Sequence, residues 1–363
     1  MRRRSYKYIF VFNIVVIFSL VIVIFVMKET GTREREIRAS ITTPLLSSET
    51  LDVSFCQSSD AAALIDAKSG AVLYSKNADK RLPMASTTKI MTALVAIENS
   101  HPEDIVKVSQ TAAGVEGSSI YLEAGESISV NDLLYGLLLE SGNDAATALA
   151  EGVFGSVENC CRVMNERAKS MGLVNTNFTN PHGLDDENHY TTAYELALIA
   201  KHAMKNDLFR SIVGTKSYVT SGENVRYFSN HNRLLKSFEG AVGVKTGYTS
   251  RSGRCLVSAS SRGGEEYIAV TLNDRDDWND HKMMHSFALD NFGGYEIADT
   301  QNFEIYAGFS KYIACDDVYI TVSGESDFTL DYKLSLGKDS GRVEYLTDGI
   351  SLGKFDVTAA ESR

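Results

Sequence analysis

The five cysteines of this 363-residue chain, Cys56, Cys160, Cys161, Cys255 and Cys315, form no Cys-x-x-Cys and no paired spacing, so nothing suggests a zinc site or a disulfide framework. Their odd number leaves at least one thiol free or intermolecular, and each reads as a small buried hydrophobe. An excess of basic charge is also missing. The net charge is −11, which argues against nucleic acid and against a general anionic-lipid surface as partners, since both want a basic face. No repeat of solenoid length occurs, although Ser-Leu-Gly-Lys appears twice near the C-terminus.

One long apolar run is present. Ile9 to Met27, broken only by Asn13 and Ser19, has the length a bilayer core needs. The charged stretch Lys28-Glu29-Thr30-Gly31-Thr32-Arg33-Glu34 follows it, where a cleaved signal would carry small residues. Residues 1–27 are therefore expected to be an uncleaved membrane anchor, a cleaved signal being the alternative. Basic residues on both flanks leave orientation open. Residues 28–55 are polar, rich in Ser and Thr and interrupted by Pro44, and read as a tether.

With 44% hydrophobic residues, the remainder can fill more than one core. Ala61–Asp66 and Ala71–Ser75, joined by a Gly70 turn, predict a hairpin. Ile90, Met91, Ala93, Leu94 and Ile97 predict a buried helix ending near Asn99-Ser100-His101-Pro102. Helical patterns run from Val130 to His202, with breaks at Ser141-Gly142-Asn143 and over 175–189. Strands return at 241–246, 255–260 and 267–272, and a helix follows from about Trp278 to Asn291. From about Thr300 the alternation is of strand type, with turns at Gly337, Gly341 and Gly349. The expected class is α/β, with an antiparallel sheet flanked by helices, an all-α lobe, and a small C-terminal all-β domain. Residues 56–295 are expected to form the catalytic domain and 296–363 the β domain.

Ser86-Thr87-Thr88-Lys89 places a serine and a lysine three residues apart at a helix start, on one face. The serine needs a base, and a lysine serves once burial or a neighbouring cation lowers its pKa. Alone the pattern is weak, because Ser335 to Lys338 and Ser351 to Lys354 match it too. Ser-x-Asn likewise occurs at Ser75, Ser129 and Ser141, and Lys68-Ser69-Gly70 echoes Lys245-Thr246-Gly247. Context selects among them: Ser86 opens a buried helix, Ser141-Gly142-Asn143 separates two helices, and Lys245-Thr246-Gly247 ends a strand. These three contexts suit one cleft.

With these motifs, Asn180-Pro181-His182-Gly183-Leu184-Asp185, Tyr190-Thr191-Thr192-Ala193-Tyr194 and the trailing β segment, residues 55 to 363 resemble the penicillin-binding serine DD-peptidases, specifically the low-molecular-mass D-alanyl-D-alanine carboxypeptidases (peptidase S11-like). The resemblance implies a β-lactamase/transpeptidase-like fold and a reaction needing no metal or cofactor. It implies Ser86 as the nucleophile on the penultimate D-Ala carbonyl, Lys89 as base, and Ser141 as proton relay to the leaving D-Ala. Asn143 would hold the substrate amide, Lys245 and Thr246 would receive the terminal carboxylate, and Gly247 would let substrate lie along the strand. Backbone N–H groups of Ser86 and Tyr248 are the expected oxyanion donors. The implied partners are stem peptides ending in D-Ala-D-Ala, β-lactams as covalent inhibitors, and the membrane, with the catalytic domain extracytoplasmic. Many of these carboxypeptidases finish in an amphipathic helix, whereas Lys354–Thr358 here is β-like, so the N-terminal run is the expected sole anchor.

Two rivals stand beside this reading. A serine β-lactamase would need a deacylating carboxylate, for which Glu166 and Glu187 are candidates, neither in the expected loop pattern. A non-catalytic wall-binding or β-lactam-sensing protein would not need both Ser86 and Lys89. Among other residues, His182 reads as part of a loop holding the cleft rim, and His202, His281 and His285 as packed or solvated helical positions. Arg275 reads as a surface salt bridge, with carboxylate binding the alternative, and Cys255 as a buried thiol near the cleft.

Overall fold

The computed structural model describes residues 38–43, 55–221, 224–298, 304–307, 310–315, 318–323, 328–337, 339–347 and 350–360. Ile9 to Met27 lies outside them, and no helix among the described residues is long and apolar enough to cross a membrane. The chain divides into two compact units, one within Glu49–Phe292 and the other combining Met1–Ser48 with Gly293–Arg363.

The larger unit is built on a five-stranded antiparallel sheet. Its strands are β1 (Ala61–Asp66), β2 (Val72–Lys76), β3 (Ala241–Thr249), β4 (Gly253–Arg262) and β5 (Glu265–Leu272), in the spatial order β2-β1-β5-β4-β3. The hairpin β1-β2 turns where Asp66 Oδ1 accepts the N–H groups of Lys68 and Ser69 at 2.8 and 2.7 Å, and Gly70 supplies the left-handed φ of 75°. Every residue of β1 is buried, because both faces of the sheet are covered. Ala61, Ala63 and Ile65 of β1, with Ile268 and Val270 of β5, join the core of the helical lobe. The alternate residues Ala62, Leu64, Tyr267 and Ala269 join a second core with Met284 and Ala288. This alternation is the two-residue period of a strand.

The helix behind the second core is Asp277–Asn291. Two of its histidines face the sheet: Ser258 Oγ lies 2.6 Å from both His281 Nδ1 and His285 Nε2, and Ser260 Oγ 2.8 Å from His285 Nδ1. Burial lowers His285 to about 3 and His281 well below its ordinary value, so both are neutral packing groups.

The helical lobe centres on α1 (Lys89–Asn99), whose residues Lys89 through Ala96 are all buried. A helix apolar on nearly every side must be surrounded, and α1 packs against α2 (Val130–Leu139), α3 (Asn143–Phe154), α4 (Val157–Ser170) and α5 (Ala193–Met204). Ser129 caps α2 through Asp132 N–H, and Thr192 caps α5 through Glu195 N–H. Besides the expected breaks there is one at Gly155-Ser156, where Gly155 closes α3 with φ 81° and Ser156 caps α4.

In the smaller unit, a six-stranded sheet runs in the order Arg38–Thr43, Phe328–Leu336, Ser340–Thr347, Ile350–Ala359, Ser310–Ala314, Glu304–Ala307. Arg38–Thr43 falls inside the stretch read as a tether; it is an edge strand, antiparallel to Phe328–Leu336. Gly341, expected at a turn, is inside a strand instead. A Cβ there would meet Ser335 O at 2.7 Å, so the glycine permits close strand approach. Gly349 lies outside the described residues. Ser351 to Lys354 sits within a strand.

Candidate active site

Ser86 lies not in α1 but in a 3₁₀ turn, Ala85–Thr88, that leads into it. With three residues per turn, positions i and i+3 eclipse, and Lys89 Nζ stands 3.0 Å from Ser86 Oγ. Nζ has two other neighbours, Asn143 Oδ1 at 2.7 Å and the His182 carbonyl oxygen at 2.6 Å. Burial first, then the positive charge of Lys245, holds Lys89 well below its ordinary pKa. A neutral amine there donates its two hydrogens to Asn143 and His182, both acceptors only. Its lone pair is then left facing the Ser86 hydroxyl, the arrangement of a general base poised on a nucleophile.

Ser141 and Asn143 come from the junction of α2 and α3. Ser141 has a left-handed φ of 66° and is buried, Gly142 is the N-cap, and Asn143 is the first residue of α3. The Asn143 amide is held by its neighbours, Nδ2 donating to Glu116 O and the backbone N–H to Ser118 O, each at 2.7 Å. That orientation presents Oδ1 to Lys89.

Lys245, Thr246, Gly247 and Tyr248 lie on β3, the sheet's edge strand, so one side of its backbone is unpaired within the sheet. A Cβ on Gly247 would stand 3.0 Å from Ser86 N and 3.1 Å from Thr87 N. A side chain at 247 would crowd the turn's backbone, so glycine eases the strand's approach to it, and Ser86 N–H sits beside the strand that carries Tyr248. The Tyr248 ring is exposed. Lys245 is buried; its ammonium donates to Thr246 O at 2.9 Å, and burial lowers it to about 7 against the opposing pull of Glu140. Its action on Lys89 is therefore electrostatic, at a site where two buried ammonium groups would repel.

The segment 180–189 completes the site in ways the motifs alone do not convey. His182 contributes its carbonyl, while its ring, lowered to about 3 by burial and then by Lys89, stays neutral. Gly183 has φ 91°, and a Cβ there would fall 1.9 Å from Ala85 O. His189 Nδ1 accepts from Thr179 N–H at 3.1 Å, so its Nε2–H donates to Thr88 Oγ1 at 2.7 Å, and Thr88 donates onward to Ala85 O at 2.7 Å. Thr92 Oγ1 donates to Pro181 O at 2.6 Å. Asp185 accepts from Thr249 Oγ1 at 2.8 Å, tying this segment to the end of β3. Cys255, opposite Gly247 in the sheet, is a buried thiol raised to about 11 by burial.

A Ser-Lys pair under a strand edge, flanked by an asparagine and a second lysine, defines an acyl-transfer serine hydrolase. The D-alanyl-D-alanine carboxypeptidase family profile matches residues 50–276. The chain is similar to D-alanyl-D-alanine carboxypeptidase DacF of Bacillus subtilis, 42% identical over 219 residues, 58% of this chain and 56% of that protein's length. It is also similar to D-alanyl-D-alanine carboxypeptidase DacA of Haemophilus influenzae, 31% identical over 326 residues, 81% of this chain and 82% of the relative. Among solved structures, penicillin binding protein 5 from Haemophilus influenzae superposes with a TM-score of 0.70 at 28% identity, over 85% of this chain and 98% of that one. The Streptomyces K15 DD-transpeptidase superposes with a TM-score of 0.62 at 33% identity, over 66% and 100%.

The chain belongs to the D-alanyl-D-alanine carboxypeptidase family of serine peptidases, as the motifs led one to expect. The family acts on peptidoglycan peptides ending in D-Ala-D-Ala and binds β-lactams.

Proposed function

We propose that this chain removes the terminal D-alanine from peptidoglycan stem peptides through an acyl-enzyme on Ser86. Lys89 accepts the Ser86 proton as Oγ adds to the penultimate D-Ala carbonyl, and the oxyanion is held by the backbone N–H groups of Ser86 and Tyr248. The C–N bond breaks as a proton passes through Ser141 to the leaving D-Ala amine. Water, with Lys89 again as base, then hydrolyses the ester. Asn143 orients both Lys89 and the substrate amide. Lys245 and Thr246 take the terminal carboxylate, and Gly247 keeps the strand edge close enough for substrate to lie against it.

The observation that carries this reading is the three-fold environment of Lys89 Nζ, with Asn143 Oδ1 and His182 O using its hydrogens and Ser86 Oγ at its lone pair. It argues against a purely binding role, which has no use for a buried base on a serine. Neither carboxylate that the β-lactamase alternative would use is bonded to the Ser86–Lys89 pair among the described residues. Glu166 is spent on an exposed ion pair with Arg162, Glu187 is exposed, and the hydrogen-bond partners of Ser86 and Lys89 include no carboxylate.

Anchoring through Ile9 to Met27, with the catalytic unit on the outer side, is part of the same proposal, since the substrate is extracytoplasmic. The test is D-Ala release from a stem pentapeptide together with a stable covalent penicillin adduct. Label that turns over quickly with no D-Ala release would favour the β-lactamase instead.

A further inference from the structure

Tyr121 combines two features that folding alone does not favour. Its φ is 61°, a left-handed conformation in which a bulky side chain is a genuine outlier. The residue is nonetheless 84% exposed, so the strained backbone gains no packing in return. The surrounding segment enforces this conformation from several directions. Ser119 Oγ accepts from Tyr121 N–H at 2.8 Å and donates to Asp144 at 2.6 Å. The buried Asp144 carboxylate also accepts Ile120 N–H at 3.0 Å and Leu122 N–H at 3.1 Å. From the hairpin Ser217–Val219/Tyr227–Ser229, Arg226 donates to the carbonyls of Ile120 and Tyr121, each at 2.9 Å, and is itself paired with Glu126.

The same segment is continuous with the catalytic site. Glu116 O and Ser118 O hold the side chain and backbone of Asn143, and Asp144 is the next residue of α3. A Cβ on Gly117 would meet Asn143 Nδ2 at 2.6 Å and Leu184 Cδ2 at 3.9 Å, so the loop passes tightly beside the asparagine. Tyr121 is three residues beyond Ser118, within about 10 Å of it along any path of the chain.

We infer that Tyr121 is a specificity-determining residue, an aromatic platform on which the stem-peptide residue preceding the two D-alanines rests. This rests on the carboxypeptidase reading. With the terminal carboxylate at Lys245 and Thr246 and the next peptide group at Asn143, the residue that follows along the stem reaches the loop anchored on Asn143. An exposed ring there meets the aliphatic part of that residue and its peptide plane, contacts that a D-Ala-D-Ala dipeptide lacks.

The test compares kcat/KM for D-Ala release from diacetyl-L-Lys-D-Ala-D-Ala and from acetyl-D-Ala-D-Ala in the full-length protein and in Tyr121→Asn and Tyr121→Phe. Asparagine tolerates the left-handed conformation but has no ring. The long-to-short ratio of kcat/KM is expected to fall about three- to tenfold in Tyr121→Asn and to stay at the original value in Tyr121→Phe, with the melting temperature of Tyr121→Asn no lower than that of the original protein. An unchanged ratio, or equal losses on both substrates with a lowered melting temperature, would overturn the inference by making the role structural. No D-Ala release by the unmodified protein from either peptide is a separate failure, that of the carboxypeptidase reading itself.

Discussion

Gly183 and Ala85 approach so closely that a Cβ on residue 183 would stand 1.9 Å from the Ala85 carbonyl oxygen. The contact joins the loop that supplies the His182 carbonyl to the turn that supplies Ser86. Because Gly183 also has φ 91°, alanine is disfavoured there by both backbone conformation and space. Gly183→Ala is expected to separate the two segments and slow acylation by penicillin more than about tenfold, equivalent to about 1.4 kcal/mol of barrier, while lowering the melting temperature. Acylation at the original rate would show that the loop's position does not matter to Lys89.

Lys89 and His182 give a contrast between side chain and backbone. Lys89→Ala removes the proposed base and is expected to cost about a hundred- to ten-thousand-fold in acylation rate. His182→Ala removes a ring but keeps the carbonyl that accepts from Lys89, so its loss is expected to be much smaller. Stopped-flow acylation of the two folded variants checks this, and equal losses would put the base elsewhere.

The two lysines also set a pH dependence. Lys89 is held well below its ordinary value by burial and then by Lys245, which favours the neutral form that the proposed base requires. Lys245, lowered to about 7, loses its charge as pH rises through that value, and with it the attraction for a substrate carboxylate. For peptide substrates kcat/KM is therefore expected to fall on the alkaline side of about pH 7, whereas kcat holds to higher pH because a bound carboxylate favours the charged lysine. In Lys245→Arg, where the guanidinium stays charged, the alkaline limb should vanish even if the overall rate drops. A limb that survives unchanged would assign it to another group.

Much of the candidate site's layout was legible because the residues that the fold brings together lie in motifs of fixed spacing. Ser86 and Lys89 stand out against the decoys at 335–338 and 351–354 by the buried helix that follows them. The strands at 241, 255 and 267 are marked by apolar runs between glycines. The 3₁₀ turn was not legible, since i,i+3 pairs mark the same face in either kind of helix. Arg38–Thr43 carries too few apolar residues to announce a strand. Contributions made through backbone atoms leave no residue signature, and the His182 carbonyl is one of these. Gly183, His189 and Asp144 act by supporting their neighbours, and only the fold shows which neighbours those are. The break at Gly155-Ser156 did have its signal, a glycine followed by a capping serine.

The central claim is that Ser86 is the nucleophile, and the most direct measurement is the site of the covalent adduct formed with benzylpenicillin, read by intact mass and peptide mapping. One adduct per chain is expected, on the peptide containing Ser86, lost in folded Ser86→Ala and retained in Ser335→Ala and Ser351→Ala. A stoichiometric adduct that persists in Ser86→Ala, or that maps to any other serine, would contradict the account.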